Sequence, residues 1–317
     1  MDFKRSDKRY RTLDDYLKNR FGKKVFKVAL NGRFTCPNKD GTKGVGGCIF
    51  CSPSGSGDYA GDPCETLQNQ YHKVKSSMLK KWPDAYTIGY FQANTNTYKD
   101  VVTLQQLFDE ALSLDAQMVG LAIATRCDAL DEAKIRLLSA LNQRTYLQVE
   151  LGLQTIHEGT AQWMNRGHDL SCFNQAVRAL RKANIDVVVH IINGFPMEDE
   201  AMMIETVKHL NTLDIQGLKI HMLHVMKGTQ LGALYEKKPF AMLSLASYVD
   251  ITIKQLEVLD PNVIVHRVTG DSPKASLIAP LWTLKKFVVM NEIDKKMRAL
   301  NTHQGRLFDD KSNGFKI

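Results

Sequence analysis

Short apolar, β-branched runs recur along the chain, and each is followed by a stretch whose apolar positions return every three or four residues. The runs at 25–30, 86–91, 118–124, 146–151, 185–192 and 217–223 read as strands. They are nearly continuous in apolar character, as strands covered on both faces are. The intervening stretches 66–80, 103–114, 131–141, 173–182 and 200–210 carry helical periodicity. One strand–helix unit arrives roughly every thirty residues, which predicts βα repeats around a parallel sheet. A later run, 263–268, follows a helical stretch at 248–259 and either extends the sheet or belongs to a C-terminal cap. Helical character continues to residue 300 and then gives way to polar sequence. The expected organisation is a basic N-terminal extension over 1–24, a core over 25–235 and a C-terminal extension or cap over 236–317.

The most distinctive chemistry lies just after the first strand. Cys36, Cys48 and Cys51 stand in C-x11-C-x2-C spacing, and Gly41, Gly44, Gly46 and Gly47 fall between the first two. A C-x2-C pair lets two thiolates reach one iron–sulfur cluster or one metal ion from a single tight turn. Glycines permit positive φ and close approach of backbone to a bulky inorganic core. Cysteines at the C-terminal end of a first strand point to a site at the mouth of an α/β barrel. Cys64 offers a fourth ligand to a rival zinc site, although no second C-x2-C pair exists. Cys127 reads as a buried, inert cysteine, and Cys64, Cys127 and Cys172 are too widely spaced in sequence for a second cluster.

This pattern resembles the cluster loop of the radical S-adenosylmethionine (SAM) superfamily, including the aromatic Phe50 before the last cysteine. The commonest spacing in that superfamily is C-x3-C-x2-C. The longer first gap is similar to the YhcC/YtqA-type, Elp3-like bacterial branch, as are Gly89–Tyr98, Glu150–Thr155 and His190–Pro196. The resemblance implies a partial (β/α)6 TIM-like barrel with a small C-terminal cap. It implies that Cys36, Cys48 and Cys51 hold a [4Fe–4S] cluster whose fourth iron is chelated by SAM, and that reductive cleavage yields a 5′-deoxyadenosyl radical. By the same resemblance Gln92 and Thr95 meet the methionine end of SAM, Gln154 and Arg166 its carboxylate, His190 its ribose and Gly194 its adenine. Glu150 is an alternative partner for Arg166, and Arg126 and Asp128 either pair or face substrate. Many relatives carry a carboxylate near Ala124 and a proline at the place of Cys127; this chain has neither.

Lys219-Ile220-His221 alternates polar and apolar, so Lys219 and His221 are candidates to face the barrel interior and bind an anionic group or move a proton. His266, Arg267, Thr269 and Asp271 form a second polar group further on. Neither a G-x4-G-K-[ST] loop nor a helix-opening G-x-G-x-x-G is present.

Composition narrows the rest. With 317 residues and 44% apolar content, the chain can bury a large core. No run of eighteen apolar residues occurs, so no membrane partner is expected. Six cysteines in so long a chain, without an apolar leader, argue for reduced thiols and a cytoplasmic location. The net charge is +8, concentrated at the ends: residues 1–30 hold ten Lys or Arg against four acids, and residues 281–317 eight against four. Such ends suit either a polyanion footprint or a solvated surface.

The resulting expectation is a radical SAM enzyme acting on tRNA, on a C5 substituent of wobble uridine, with a reducing electron donor such as flavodoxin or ferredoxin. Acetyl transfer, carried in Elp3 proteins by a further domain, is not expected. One alternative keeps the chemistry on a small metabolite or a protein side chain. The other is a non-enzymatic zinc-stabilised nucleic-acid-binding module.

Overall fold

The computed structural model describes residues 7–55 and 57–309. The chain opens with helix α1 (Leu13–Phe21), capped by Thr12, and enters strand β1 (Val25–Leu30). Four crossovers follow: α2 (Leu67–Leu79), β2 (Tyr86–Phe91), α3 (Val101–Ser113), β3 (Met118–Thr125), α4 (Glu132–Asn142), β4 (Tyr146–Gln154), α5 (Glu158–Trp163), α6 (Leu170–Lys182) and β5 (Asp186–Asn193). The chain continues through α7 (Glu200–Asn211), β6 (Gly217–Met222), β7 (Val225–Met226), α8 (Gln230–Lys237), α9 (Leu245–Val258), β8 (Ile264–Arg267), β9 (Leu277–Ala279) and α10 (Lys286–Ala299).

Strands β1 to β6 and then β8 hydrogen-bond in sequence order, all parallel, giving an open seven-stranded partial barrel. The expected run at 263–268 therefore extends the sheet as β8 rather than belonging to a cap. Valine, leucine and isoleucine side chains of the strands are buried against the helical layer, as a sheet covered by crossover helices requires. Side chains of Thr66, Asp100, Asp131, Asp169 and Asp199 accept backbone N–H bonds at the starts of α2, α3, α4, α6 and α7. Each such cap stabilises its helix by about 1 kcal/mol. Because parallel strands share one direction, all their C-terminal ends open at one rim, where side chains of several strands converge.

The sequence pattern did not reveal α1, whose role is structural. Leu17 is buried with Val25, Ile88, Ala122 and Tyr146, and Phe21 meets Tyr146 edge-on at 5.7 Å. Tyr146 begins β4, so α1 covers the barrel end opposite the rim. The backbone N–H of Val265 donates to the Arg11 carbonyl, which joins the N-terminal segment to β8. The C-terminal segment returns to the same place, where Gln304 bonds the backbone of Arg11, Asp260 and Val263. The terminal bases are largely engaged here: Lys8 with Asp294, Lys18 and Lys24 with Asp14, and Arg20 over Tyr146. The bases Lys4, Arg5, Lys311 and Lys316 lie outside the described residues. Among the described residues, no helix is long and apolar enough to cross a membrane.

Leu17→Ala should cost about 3 kcal/mol of unfolding free energy, because the space vacated between α1 and the strands cannot fully collapse. Urea unfolding checks this, and an unchanged midpoint would mean that α1 does not close the barrel.

Candidate active site

The cysteine loop leaves β1 and crosses the rim. Its glycines do what their spacing anticipates: Gly41, Gly46 and Gly47 have φ of 92°, 80° and 76°, the left-handed region that side chains resist. The loop is held from outside by the segment after α5. Ile49 N–H donates to the Met164 carbonyl, and the Asn165 amide donates to the carbonyls of Val45 and Gly47. Asn38 donates to the Asn165 carbonyl at 2.6 Å and lies 3.8 Å from the Cys48 sulfur. A Cβ on Gly167 would stand 2.4 Å from the Asn38 side chain, so that position also requires glycine. Cys36, Cys48 and Cys51 thereby line one cavity with Gln92, Thr95, Gln154 and Arg126. The Cys51 contact and burial raise the Cys48 thiol well above its ordinary value. Cys64 is exposed and does not line the cavity.

The strand ends complete this chamber. Gln92 follows β2, Thr95 is buried in the next turn, and Gln154 ends β4 with φ of 65°. Arg166 also lines the chamber but is almost wholly buried. Its guanidinium donates to the carbonyls of Leu153, Thr155 and His168, and its acidic neighbour is Glu158 at 3.5 Å. It is a clamp on the end of β4. The alternative pairing of Glu150 with Arg166 is therefore incorrect, since Glu150 is engaged elsewhere. Arg126 grips Asp128 through two bonds of 2.9 and 2.8 Å and donates a third to the Arg166 carbonyl. Gly194 turns the chain after β5 with φ of 99°, beside Leu243, and does not line the chamber.

Below the chamber lies a second cavity of roughly 470 Å³, and the two share Phe50, Tyr90, Gln92, Gln154 and His190. The wall between the two is organised by Glu150, which is fully buried on β4 and lines the first chamber, while its partners reach the second. Glu150 accepts from Lys27 at 2.6 Å, from Tyr90 and His190 at 2.7 Å each, and from Lys219. Burial alone would raise this carboxyl, but Lys219 and Lys27 override it and hold Glu150 well below the usual range. One carboxylate cannot neutralise two ammoniums and an imidazolium at once. Burial, with Lys219 nearby, lowers His190 to about 4, so it meets Glu150 as the neutral ring with its proton on Nε2. Burial, relieved only partly by Glu150, lowers Lys219 to about 7. His221 stacks on His190 at 5.4 Å, and burial holds it neutral. One ring nitrogen each of His221, His224 and His266 is buried without a hydrogen-bond partner among the described residues. Lys219 and His221 thus both reach this cavity, together with Arg267 and Asp271.

The chain matches the model of the radical SAM superfamily over residues 41–210 and that of the Radical_SAM C-terminal domain over 215–299. It is 48% identical to the uncharacterised protein YtqA of Bacillus subtilis, over 96% of this chain and 95% of that one. It is 34% identical to YhcC of Escherichia coli, over 90% and 91%. The chain belongs to the radical SAM superfamily. Its fold is similar to that of the Elp3 of the archaeon Methanocaldococcus infernus, with a TM-score of 0.64 and 17% identity over 88% of this chain and 64% of that one. Schizosaccharomyces pombe Elongator complex protein 3 is 25% identical over 66% of this chain and 39% of its own length.

Radical SAM membership makes the protein an enzyme that uses a [4Fe–4S] cluster and SAM, and it sets aside the zinc-module alternative. In this radical SAM protein the cysteines, Gln92, Thr95, Gln154 and His190 converge as the sequence anticipated, whereas Gly194 stands apart. Sequence reasoning missed Lys27, Tyr90 and the central place of Glu150. The available signal was a lysine inside the apolar run Val25-Phe26-Lys27-Val28.

The lowered pKa of Lys219 has a measurable consequence. Between about 7 and its ordinary 10.5 the unfolded chain holds this proton and the folded chain does not. The stability owed to Lys219 therefore rises with pH across that window. The unfolding free energy of the wild type relative to Lys219→Met should grow by up to about 1.4 kcal/mol per pH unit from pH 7 to 10. A difference that stays flat would contradict this assignment.

Proposed function

We propose that this radical SAM enzyme modifies tRNA, at a C5 substituent of wobble uridine. Cys36, Cys48 and Cys51 hold the cluster in the upper chamber, and Gln92, Thr95, Gln154 and His190 cradle SAM between it and the lower cavity. When bound, the cluster and SAM supply a 5′-deoxyadenosyl radical able to abstract hydrogen from an unactivated carbon. The residues fit: three thiols line one cavity beneath loop glycines that admit a bulky core. The observation that carries the reading is the continuity of the two chambers through Tyr90, Gln92, Gln154 and His190. A group reaching the lower cavity sits within one shared wall of the cluster chamber.

In that cavity Lys219 and His221 orient the target. Lys27 and Lys219 face a single carboxylate, so the pair carries surplus positive charge for an anionic or carbonyl oxygen. Lys219, titrating near neutrality, is suited to give or take a proton, whereas His221 acts as a neutral hydrogen-bonding ring. Tyr90 and Glu150 fix the position of the Lys219 ammonium.

The Elp3-like resemblance supplies the nucleic-acid side of the proposal, and side chains at the rim support it. Arg267 and Lys286 are half exposed on Asp271, at the cavity edge; Phe287, beside Lys286, is 70% exposed, and Tyr59, which lines the cavity, is 57% exposed. Exposed aromatics beside cations form stacking platforms for extruded bases. The engaged terminal bases of the opposite end take no part in this contact.

Phe287→Ala should weaken binding of tRNA lacking the wobble modification by about 1–3 kcal/mol, while leaving 5′-deoxyadenosine formation in the absence of tRNA unchanged. Filter binding at fixed salt, paired with product assay, separates the readings. Equal tRNA affinity in the variant and wild type, with no tRNA-dependent product, would favour a small metabolite or a protein side chain instead.

A further inference from the structure

Cys127 and Cys172 are 45 residues apart in sequence, yet their sulfurs lie 3.4 Å from each other. Cys127 sits in the 3-10 turn Cys127–Ala129 that follows β3 and is 3% exposed. Cys172 stands in the first turn of α6, where its N–H donates to the capping Asp169, and is partly exposed. Neither lines the cluster chamber, and neither serves the reaction proposed above. The wide spacing that separates these cysteines in sequence is undone by the packing of the turn against α6.

We propose that Cys127 and Cys172 form a thiol–disulfide exchange site whose co-reactant is a low-molecular-weight disulfide. The two positions are unequal in the way such exchange requires. Cys172 is the one that solvent reaches, at a helix N-terminus, and its contact with Cys127 lowers its pKa. Cys127 is buried, and the Cys172 contact and burial both raise its pKa. Cys172 is the attacking sulfur and Cys127 the resolving one. The Cys172 thiolate attacks one sulfur of the small disulfide, forming a mixed disulfide and releasing the first thiol. The Cys127 sulfur then attacks the Cys172 sulfur, loses its proton and releases the second thiol. The protein dithiol is oxidised by two electrons and one small disulfide is reduced to two thiols; excess small thiol reverses both steps. The bond formed ties the turn after β3 to α6. It thereby fixes the segment carrying Arg126, whose guanidinium borders the cluster chamber.

The test uses the full-length, cluster-loaded protein, exposed anaerobically to oxidised glutathione and mapped by tryptic digestion and mass spectrometry. Cys127 and Cys172 fall in separate single-cysteine peptides, 127–134 and 167–178. The expected result is loss of both free-thiol peptides and appearance of one linked species, reversed by dithiothreitol. Cys127→Ser should retain glutathione on Cys172, and Cys172→Ser should leave Cys127 as a free thiol. Recovery of both wild-type peptides as free thiols, or of glutathione held on Cys172 without the linked species, would overturn the proposal. Should a variant fail to fold, the wild-type peptide map alone decides.

Discussion

Glu150 accepts hydrogen bonds from side chains on four other strands: Lys27 of β1, Tyr90 of β2, His190 of β5 and Lys219 of β6. An open barrel has no closing strand pair to set its curvature. A fully buried carboxylate reaching across the interior supplies that constraint from within. Taking such a charge out of water is expensive, and it is offset here by two lysines and by hydrogen bonds from two neutral groups, Tyr90 and His190. The network is therefore poor value as mere stabilisation, and its worth lies in what it positions. It positions Tyr90, His190 and the Lys219 ammonium between the two cavities, sets the tautomer of His190 and limits how far burial lowers Lys219.

The rim is organised on a different principle. There the backbone does most of the work, through glycines at positive φ, the Asn38 and Asn165 amides, and the carbonyls that saturate Arg166. Rigid backbone contacts place three thiols without relying on the thiols themselves. The two cavities are nonetheless joined, since Tyr90 and His190 line both and Glu150, which holds them, lines the cluster chamber.

Much of this was legible in the sequence. Parallel strands buried on both faces leave continuous apolar runs, so β1 to β6 were read within a few residues. The cysteine spacing marked the rim, and the alternation at Lys219 and His221 identified inward-facing side chains. Other features were not visible. Helix α1 is short and charged, and its single buried Leu17 gives little periodicity. Strands β7 and β9 are too short to carry a pattern. Arg166 bears the same charge whether it meets a ligand or backbone carbonyls, and only the structure shows the latter. The pairing of Cys127 with Cys172 depends on how a loop packs on a helix, which no local pattern encodes.

We propose that the three thiols of the upper chamber, including the distant Cys36, hold the SAM-binding cluster. Electron paramagnetic resonance of the reconstituted, dithionite-reduced protein tests it most directly. A reduced-cluster signal perturbed by SAM is expected in the wild type and in Cys64→Ala, and its loss in Cys36→Ala. An unaltered, SAM-responsive signal in Cys36→Ala would contradict it.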